Sequence, residues 1–167
     1  MKKSDLVDKL QKEWHQERPD LYTASMGIVG RFLLLGELLK KRANQVSLEF
    51  GIGYTDLDVL ATLKRSGKPY QLRPADLLNF VLIKSGSLTA CLDRLEKAQL
   101  ITRAFSENDR RSRFVMLTDK SKKLVDQAIE KRFKEASEFL LPISKKEQTL
   151  LEPILKTLLS AHMNDEQ

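Results

Sequence analysis

Leu100-Ile101-Thr102-Arg103-Ala104-Phe105, then Ser106-Glu107-Asn108-Asp109-Arg110-Arg111-Ser112, then Arg113-Phe114-Val115-Met116-Leu117 is the stretch on which the fold turns. Two alternating segments flank a polar turn, which is the pattern of an antiparallel ribbon. Just before it the period is helical. Between Ser85, a good N-cap, and Ala98, the apolar residues Leu88, Leu92 and Leu95 recur every third or fourth place. A helix that runs directly into a two-stranded ribbon is half of a winged helix-turn-helix.

The other half lies upstream. Arg73-Pro74 opens a short helix to about Phe80, with proline in its first turn, and Tyr70-Gln71-Leu72 before it is a strand-sized fragment. Thr55 reads as the N-cap of an earlier helix, with Asp58 in the capping-box place and Leu57, Leu60 and Leu63 on one face. Ser66-Gly67-Lys68-Pro69 stops it. Further out, Leu21 to Phe50 holds no proline, and Met26, Val29, Leu33, Leu34, Leu38 and Leu39 repeat at helical spacing until Gly51-Ile52-Gly53. Gly27 and Gly30 in this helix predict close packing against another backbone. An amphipathic segment, Leu6 to Trp14, precedes it and stops before Pro19. Downstream, Thr118 or Asp119 caps a long charged helix to Leu141, Pro142 ends it, and Ser144 with Glu147 caps a last helix. Its face of Leu150, Leu151, Ile154, Leu155, Leu158 and Leu159 is wide and apolar.

The expected fold is therefore mainly α with a small β-wing, a winged helix-turn-helix carried on a helical dimerisation scaffold from both termini. Its parts are N-terminal dimerisation helices over 1–53, the winged helix-turn-helix over 54–118 and C-terminal dimerisation helices over 119–167, together one compact unit. The end helices are too apolar to stand in water alone, and burial against a second copy is the simplest remedy.

Composition fits a small soluble regulator better than an enzyme. Of 167 residues, 41% are hydrophobic and 31% charged, and 29 Lys+Arg against 23 Asp+Glu leave a net charge of +6. That charge favours polyanionic partners without proving one. Cys91 is the single cysteine, so no intramolecular disulfide forms and a reducing cytoplasm is the expected location. The N-terminus has no apolar signal core, and the run Phe32 to Leu35 is far too short to span a bilayer, so no membrane partner is expected. His15 and His162 are far apart. With no metal-ligand spacing, phosphate loop or nucleophile motif, neither catalysis nor a cofactor is expected.

The residues that would meet DNA come from both halves of the motif. Ser85, Ser87 and Thr89 crowd the first turn of the 85–98 helix, and Gly86, Ala90, Asp93, Arg94 and Lys97 lie opposite its leucines. Small hydroxyl residues and open backbone amides at a helix start suit a major groove, although an ordinary surface helix has the same look. Arg110, Arg111 and Arg113 sit at the ribbon turn, where arginine can enter a narrow minor groove; Asp109 is placed to hold Arg111. A solvated charge cluster is the plain alternative, and a winged domain that binds protein rather than DNA is another.

The block Asp93-Arg94-Leu95-Glu96-Lys97-Ala98-Gln99-Leu100-Ile101-Thr102-Arg103, followed by Asp109-Arg110-Arg111-Ser112 and Leu117-Thr118, resembles the core of the MarR family of dimeric repressors. The resemblance in element order extends over nearly the whole chain. It implies that the 85–98 helix reads the major groove, that Arg111 contacts the minor groove, and that the terminal helices form a homodimer on a palindromic operator. The glycine the family carries before the first wing strand is Gln99 here, a change expected to alter little beyond local turn geometry.

A narrower resemblance begins at Trp14 with Glu17-Arg18-Pro19-Asp20-Leu21, and continues through Asp58-Val59-Leu60-Ala61-Thr62-Leu63 and Ser66-Gly67-Lys68-Pro69-Tyr70. It is similar to the urate-responsive branch, the PecS- and HucR-like proteins, which bind their effector between scaffold and DNA lobe. That likeness implies a ligand site at Trp14, Asp58 and Arg103. Cys91 stands where the branch has an arginine, so a less anionic aromatic effector is expected in place of urate. Trp14 as a packing anchor, Asp58 as a helix cap and Arg103 as a phosphate contact are the competing readings. Cys91 raises redox sensing as a further alternative, against the ordinary role of a small buried hydrophobe.

Overall fold

The computed structural model describes residues 4–81, 85–105 and 113–163. Its elements in chain order are α1 (Leu6–Glu17), α2 (Ala24–Leu48), α3 (Tyr54–Arg65), β1 (Gln71–Leu72), α4 (Pro74–Leu78), α5 (Ser85–Lys97), β2 (Ile101–Phe105), β3 (Arg113–Leu117), α6 (Asp119–Phe139) and α7 (Lys145–Met163). They form two compact units, Met1–Tyr54 and Thr55–Gln167.

In the first unit α1 is fastened to α2 by charge and by shape. Asp5 caps α1 in a capping box with Asp8. Arg31 of α2 reaches both carboxylates, with Nε 2.9 Å from Asp5 and Nη2 2.6 Å from Asp8. The backbone amide of Asp8 and the Arg31 guanidinium hold the Asp5 carboxyl below its ordinary range. The two glycines do mark close approach, but by side chains of α1 and not by another backbone. A Cβ on Gly27 would lie 2.4 Å from the Gln11 amide nitrogen, and one on Gly30 would lie 3.5 Å from Val7. Gln11 uses that nitrogen to donate to the Thr23 carbonyl at 2.9 Å.

The second unit is built around a three-stranded antiparallel sheet of order β1-β3-β2. The ribbon pairs Ile101 with Leu117, Arg103 with Val115 and Phe105 with Arg113, and β1 adds a third strand by setting Leu72 against Val115. Period two then sends Ile101, Val115 and Leu117 inward. They join Val59, Leu60 and Leu63 of α3, Leu77 of α4, Leu88, Leu92 and Leu95 of α5, and Val125 and Ala128 of α6 in one core. Each large aliphatic side chain so buried stabilises the unit by about 2 kcal/mol.

Several helix starts follow their expected caps; Ser85 and Thr55, expected as caps, instead lie within their helices. Thr118 accepts from the Ser121 amide at 3.2 Å to start α6, and Ser144 with Glu147 forms the expected box at α7. The third helix, in contrast, begins at Tyr54, whose amide donates to Asn44 Oδ1 at 3.2 Å, so Thr55 lies inside the helix and not at its cap. The acidic residue of its first turn is Asp56, and that carboxylate is buried.

The junction of α5 and β2 is where Gln99 matters. It adopts φ +59, the left-handed region that suits glycine. Its amide donates to the Glu96 carbonyl and that of Leu100 to Leu95, both at 2.9 Å, the Schellman pattern that closes a helix. Thr118 donates to the Gln99 carbonyl at 3.0 Å, and Lys120 Nζ to that of Ala98 at 3.1 Å. The change from glycine is thus more than a local detail, because an L residue held left-handed costs about 1–2 kcal/mol. Gln99→Gly is expected to raise stability by about 1 kcal/mol, and Thr118→Ala to lower it by about 1–2 kcal/mol. Urea unfolding midpoints check both; a Gln99→Gly midpoint at or below wild type would contradict the strain argument.

Candidate nucleic-acid interface

The outward face of α5 is the centre of the candidate site. Because Leu88, Cys91, Leu92 and Leu95 turn into the core, Ser87, Thr89, Ala90, Asp93, Arg94, Glu96 and Lys97 are left exposed. Ser85 is the first residue of this helix. Small side chains cluster in its first half and cations in its second. That distribution leaves the N-terminal backbone open to close approach by a polyanion.

Not every cation on this surface is available. Arg103 of β2 pairs with Asp93 and lies 3.4 Å from Glu96, so one guanidinium offsets part of the charge of the two outward carboxylates of α5. Arg94 donates through Nη2 to Asp56 Oδ1 at 2.7 Å. Lys97 has no ion pair among the described residues. Arg113 at the start of β3 stacks over the Phe105 ring at 5.1 Å, and Arg73 stacks over Phe114 at 5.6 Å. Cation–π contact leaves a guanidinium edge free to donate. The expected wing-tip residues Asp109, Arg110 and Arg111 lie outside the described residues.

Asp56 is the residue that sequence reasoning passed over. It is 9% exposed and receives both the Arg94 guanidinium and the Cys91 thiol, at 3.0 Å from Sγ to Oδ1. Placing the helix start at Thr55 put Asp58 in the structurally important slot. The observed helix starts one residue before Thr55, and Asp56 is the acid that it buries. No pattern near residue 56 signals this, since its donors come from residues 91 and 94.

Cys91 is fully buried, and the pKa of its thiol is pushed up to about 12 by burial first and by the Asp56 carboxylate next. The three residues expected to hold an effector are divided between the two units. Trp14 lines an apolar cavity of about 420 Å³ within the first, together with Val7, Leu10, Leu21, Tyr22 and Met26; Gln11 and Thr23 supply its polar atoms. Asp58 lies on α3 and Arg103 on β2, the latter engaged as described. Among the described residues no cluster of histidine, cysteine and carboxylate could hold a metal ion, and no helix is long and apolar enough to cross a membrane.

Comparison with known proteins gives this geometry a lineage. The MarR family profile matches residues 52–112, which span α3 to the wing. The HTH-type transcriptional regulator PecS of Dickeya dadantii is 33% identical over 149 residues, covering 89% of this chain and 90% of PecS. Among solved structures, a mutant MarR from E. coli complexed with operator DNA superposes with a TM-score of 0.69 at 22% identity, covering 93% of this chain and 99% of that one. The organohalide-sensing regulator RdhR-CbdbA1625 in its 2,4-dichlorophenol-bound form gives a TM-score of 0.74 at 15% identity, covering 87% and 85%. With a relative this similar over nearly its full length, and with the same winged fold, the chain belongs to the MarR family.

Proposed function

We propose that this protein is a sequence-specific, DNA-binding transcription regulator that acts as a homodimer on an inverted-repeat operator, in the ordinary case as a repressor. The observation that carries the reading is the outward face of α5. It offers Ser87, Thr89, Ala90 and a Lys97 that is unpaired among the described residues, while Arg103 pairs with Asp93 and lies near Glu96, which weakens the repulsion these carboxylates would exert on phosphate. Ser85 at the helix start, and Arg113 with Arg110, Arg111 and Asp109 of the wing, complete the proposed contact set; Arg94 stands apart because its guanidinium is engaged by Asp56. The E. coli relative complexed with operator DNA supports the same use of the fold.

The second copy follows from what one chain leaves uncovered. Met26, Val29, Leu33, Leu34 and Leu38 of α2 and Leu150, Ile154, Leu158 and Leu159 of α7 are all more than 40% exposed. A wide apolar face left in water is stabilised when a partner covers it. Two-fold pairing through these faces makes the operator symmetric, with half-sites about one helical turn apart.

A small aromatic effector is the proposed control. The cavity beside Trp14 is apolar and of the size that small ligands occupy, and the similarly folded RdhR-CbdbA1625 in its 2,4-dichlorophenol-bound form supports an aromatic effector. An effector releases DNA only by binding the DNA-incompetent state more tightly than the competent one. Redox control through Cys91 is disfavoured by burial and by a thiol held protonated.

Three measurements test these readings. Selection from a random DNA pool should return inverted repeats, and light scattering should give twice the 19.2 kDa chain mass. On the selected site, Lys97→Ala should weaken all sequences alike and lower the salt slope by about one. Arg111→Ala should reduce the preference for A·T-rich flanks. A monomer with no consensus would refute both claims. Next, titration of neutral and acidic aromatics, urate included, should change Trp14 emission and release the operator, with Asp58→Asn and Arg103→Ala as comparison arms; no response to any aromatic removes the effector site. Finally, Cys91 should resist alkylation at pH 8 in the folded protein and react once unfolded, whereas fast native modification coupled to operator release would revive the redox reading.

A further inference from the structure

We propose that Asp56 is a positioning residue for the recognition helix α5, and that Arg94 serves operator binding through Asp56 and not by touching DNA. This rests on the DNA-binding reading of α5 given above.

The core contacts of α5 are apolar and therefore non-directional. Leu88, Leu92 and Leu95 bury well over a range of rotations of the helix about its axis, because hydrophobic burial depends on area and not on angle. Hydrogen bonds to an ion depend on both distance and angle. Asp56 Oδ1 takes two of them from α5, one from Cys91 Sγ at 3.0 Å and one from Arg94 Nη2 at 2.7 Å. Residues three apart lie on one face of a helix, a turn from each other, so these two bonds fix the helix rotation at two heights.

The consequence for DNA is geometric. With side-chain tips at a radius of about 5 Å, a rotation of roughly 20° moves each tip by about 2 Å. That exceeds the distance tolerance of a hydrogen bond to a base edge. Thr89, Ala90 and Lys97 lie on the exposed side of the helix and so depend on this phase. The arrangement also explains a cysteine on the face opposite them: a neutral thiol can donate to Asp56, and the carboxylate opposes its ionisation.

The rival account is that Arg94, whose side chain is 57% exposed, grips a phosphate directly. The two accounts differ in sign. Asp56→Asn removes a negative charge from a DNA-binding surface, so simple electrostatics would tighten binding. The positioning role instead predicts that affinity for the selected operator falls about tenfold, the size of one lost charge-assisted bond, while non-specific affinity and the salt slope stay as in wild type. Arg94→Gln should act in the same direction, and the double variant should be no worse than Asp56→Asn alone, since the Arg94 bond is one of the two that Asp56 accepts. If Arg94→Gln lowers the salt slope by about one, or if the two effects add, Arg94 is a phosphate contact and the proposal fails. Melting temperatures of each variant identify any loss that is only unfolding, which would also overturn it. A readout without DNA separates this proposal from the functional one: hydrogen exchange of α5 amides in the free protein should quicken in both single variants. Unchanged exchange overturns the positioning role even if operator binding is found; a wild type that selects no DNA, with quickened exchange in the variants, overturns the DNA reading and leaves the helix constraint standing.

Discussion

The left-handed turn at Gln99 is the constraint on which the winged part of this protein depends. It reverses the chain between the end of α5 and the start of β2, and so determines where the wing begins relative to α5. Closure of the turn engages four groups at once. The amides of Gln99 and Leu100 return to Glu96 and Leu95, Thr118 donates to the Gln99 carbonyl, and Lys120 donates to that of Ala98. Because Leu95 and Leu100 are both buried, the turn is locked by the core on one side and by the start of α6 on the other. The Leu117-Thr118 pair of the family motif thereby gains a physical meaning. Leu117 ends a core strand, and Thr118 both caps α6 and ties it to the helix-to-wing reversal.

Charge on this surface is organised by pairing more than by count. A net charge of +6 describes the chain as a whole, but the field met by a polyanion depends on which cations remain unneutralised. Arg103 is paired with Asp93 and Glu96, and Arg94 with Asp56, so two arginines conspicuous in the sequence each have carboxylate partners within the fold. The two guanidinium charges offset two of the three carboxylate charges, and Lys97, Arg73 and Arg113 add outward cations, two of them laid on aromatic rings.

The terminal helices obey a different constraint. α1 is held to α2 by a carboxylate pair on Arg31 and by Gln11 seated over Gly27, contacts that cover only one side of α2. Leucines on its other sides remain in water, as do those of α7. Burial of each of these faces by a second copy, as proposed above, would couple dimerisation to stability.

Much of this was legible from residue order. Periodicity located the helices and the ribbon, because burial of one face imposes a period of 3.6 or 2 directly on the sequence. Pro74, Ser144 with Glu147, and Thr118 marked helix starts because caps act within a few residues. The α5 stripe of Leu88, Leu92 and Leu95 followed from the same rule. What tertiary structure alone decided are the relations between residues far apart in the chain. Examples are Asp56 and not Asp58 as the buried acid of α3, Arg94 and Arg103 engaged in pairs, the third strand on β3, and side chains instead of a backbone against Gly27. The physical reason is one of range. Local hydrogen bonding and amphipathic burial are written within a turn of helix or a pair of strand residues, whereas a charge pair depends on the packing of two elements that no spacing in the sequence records.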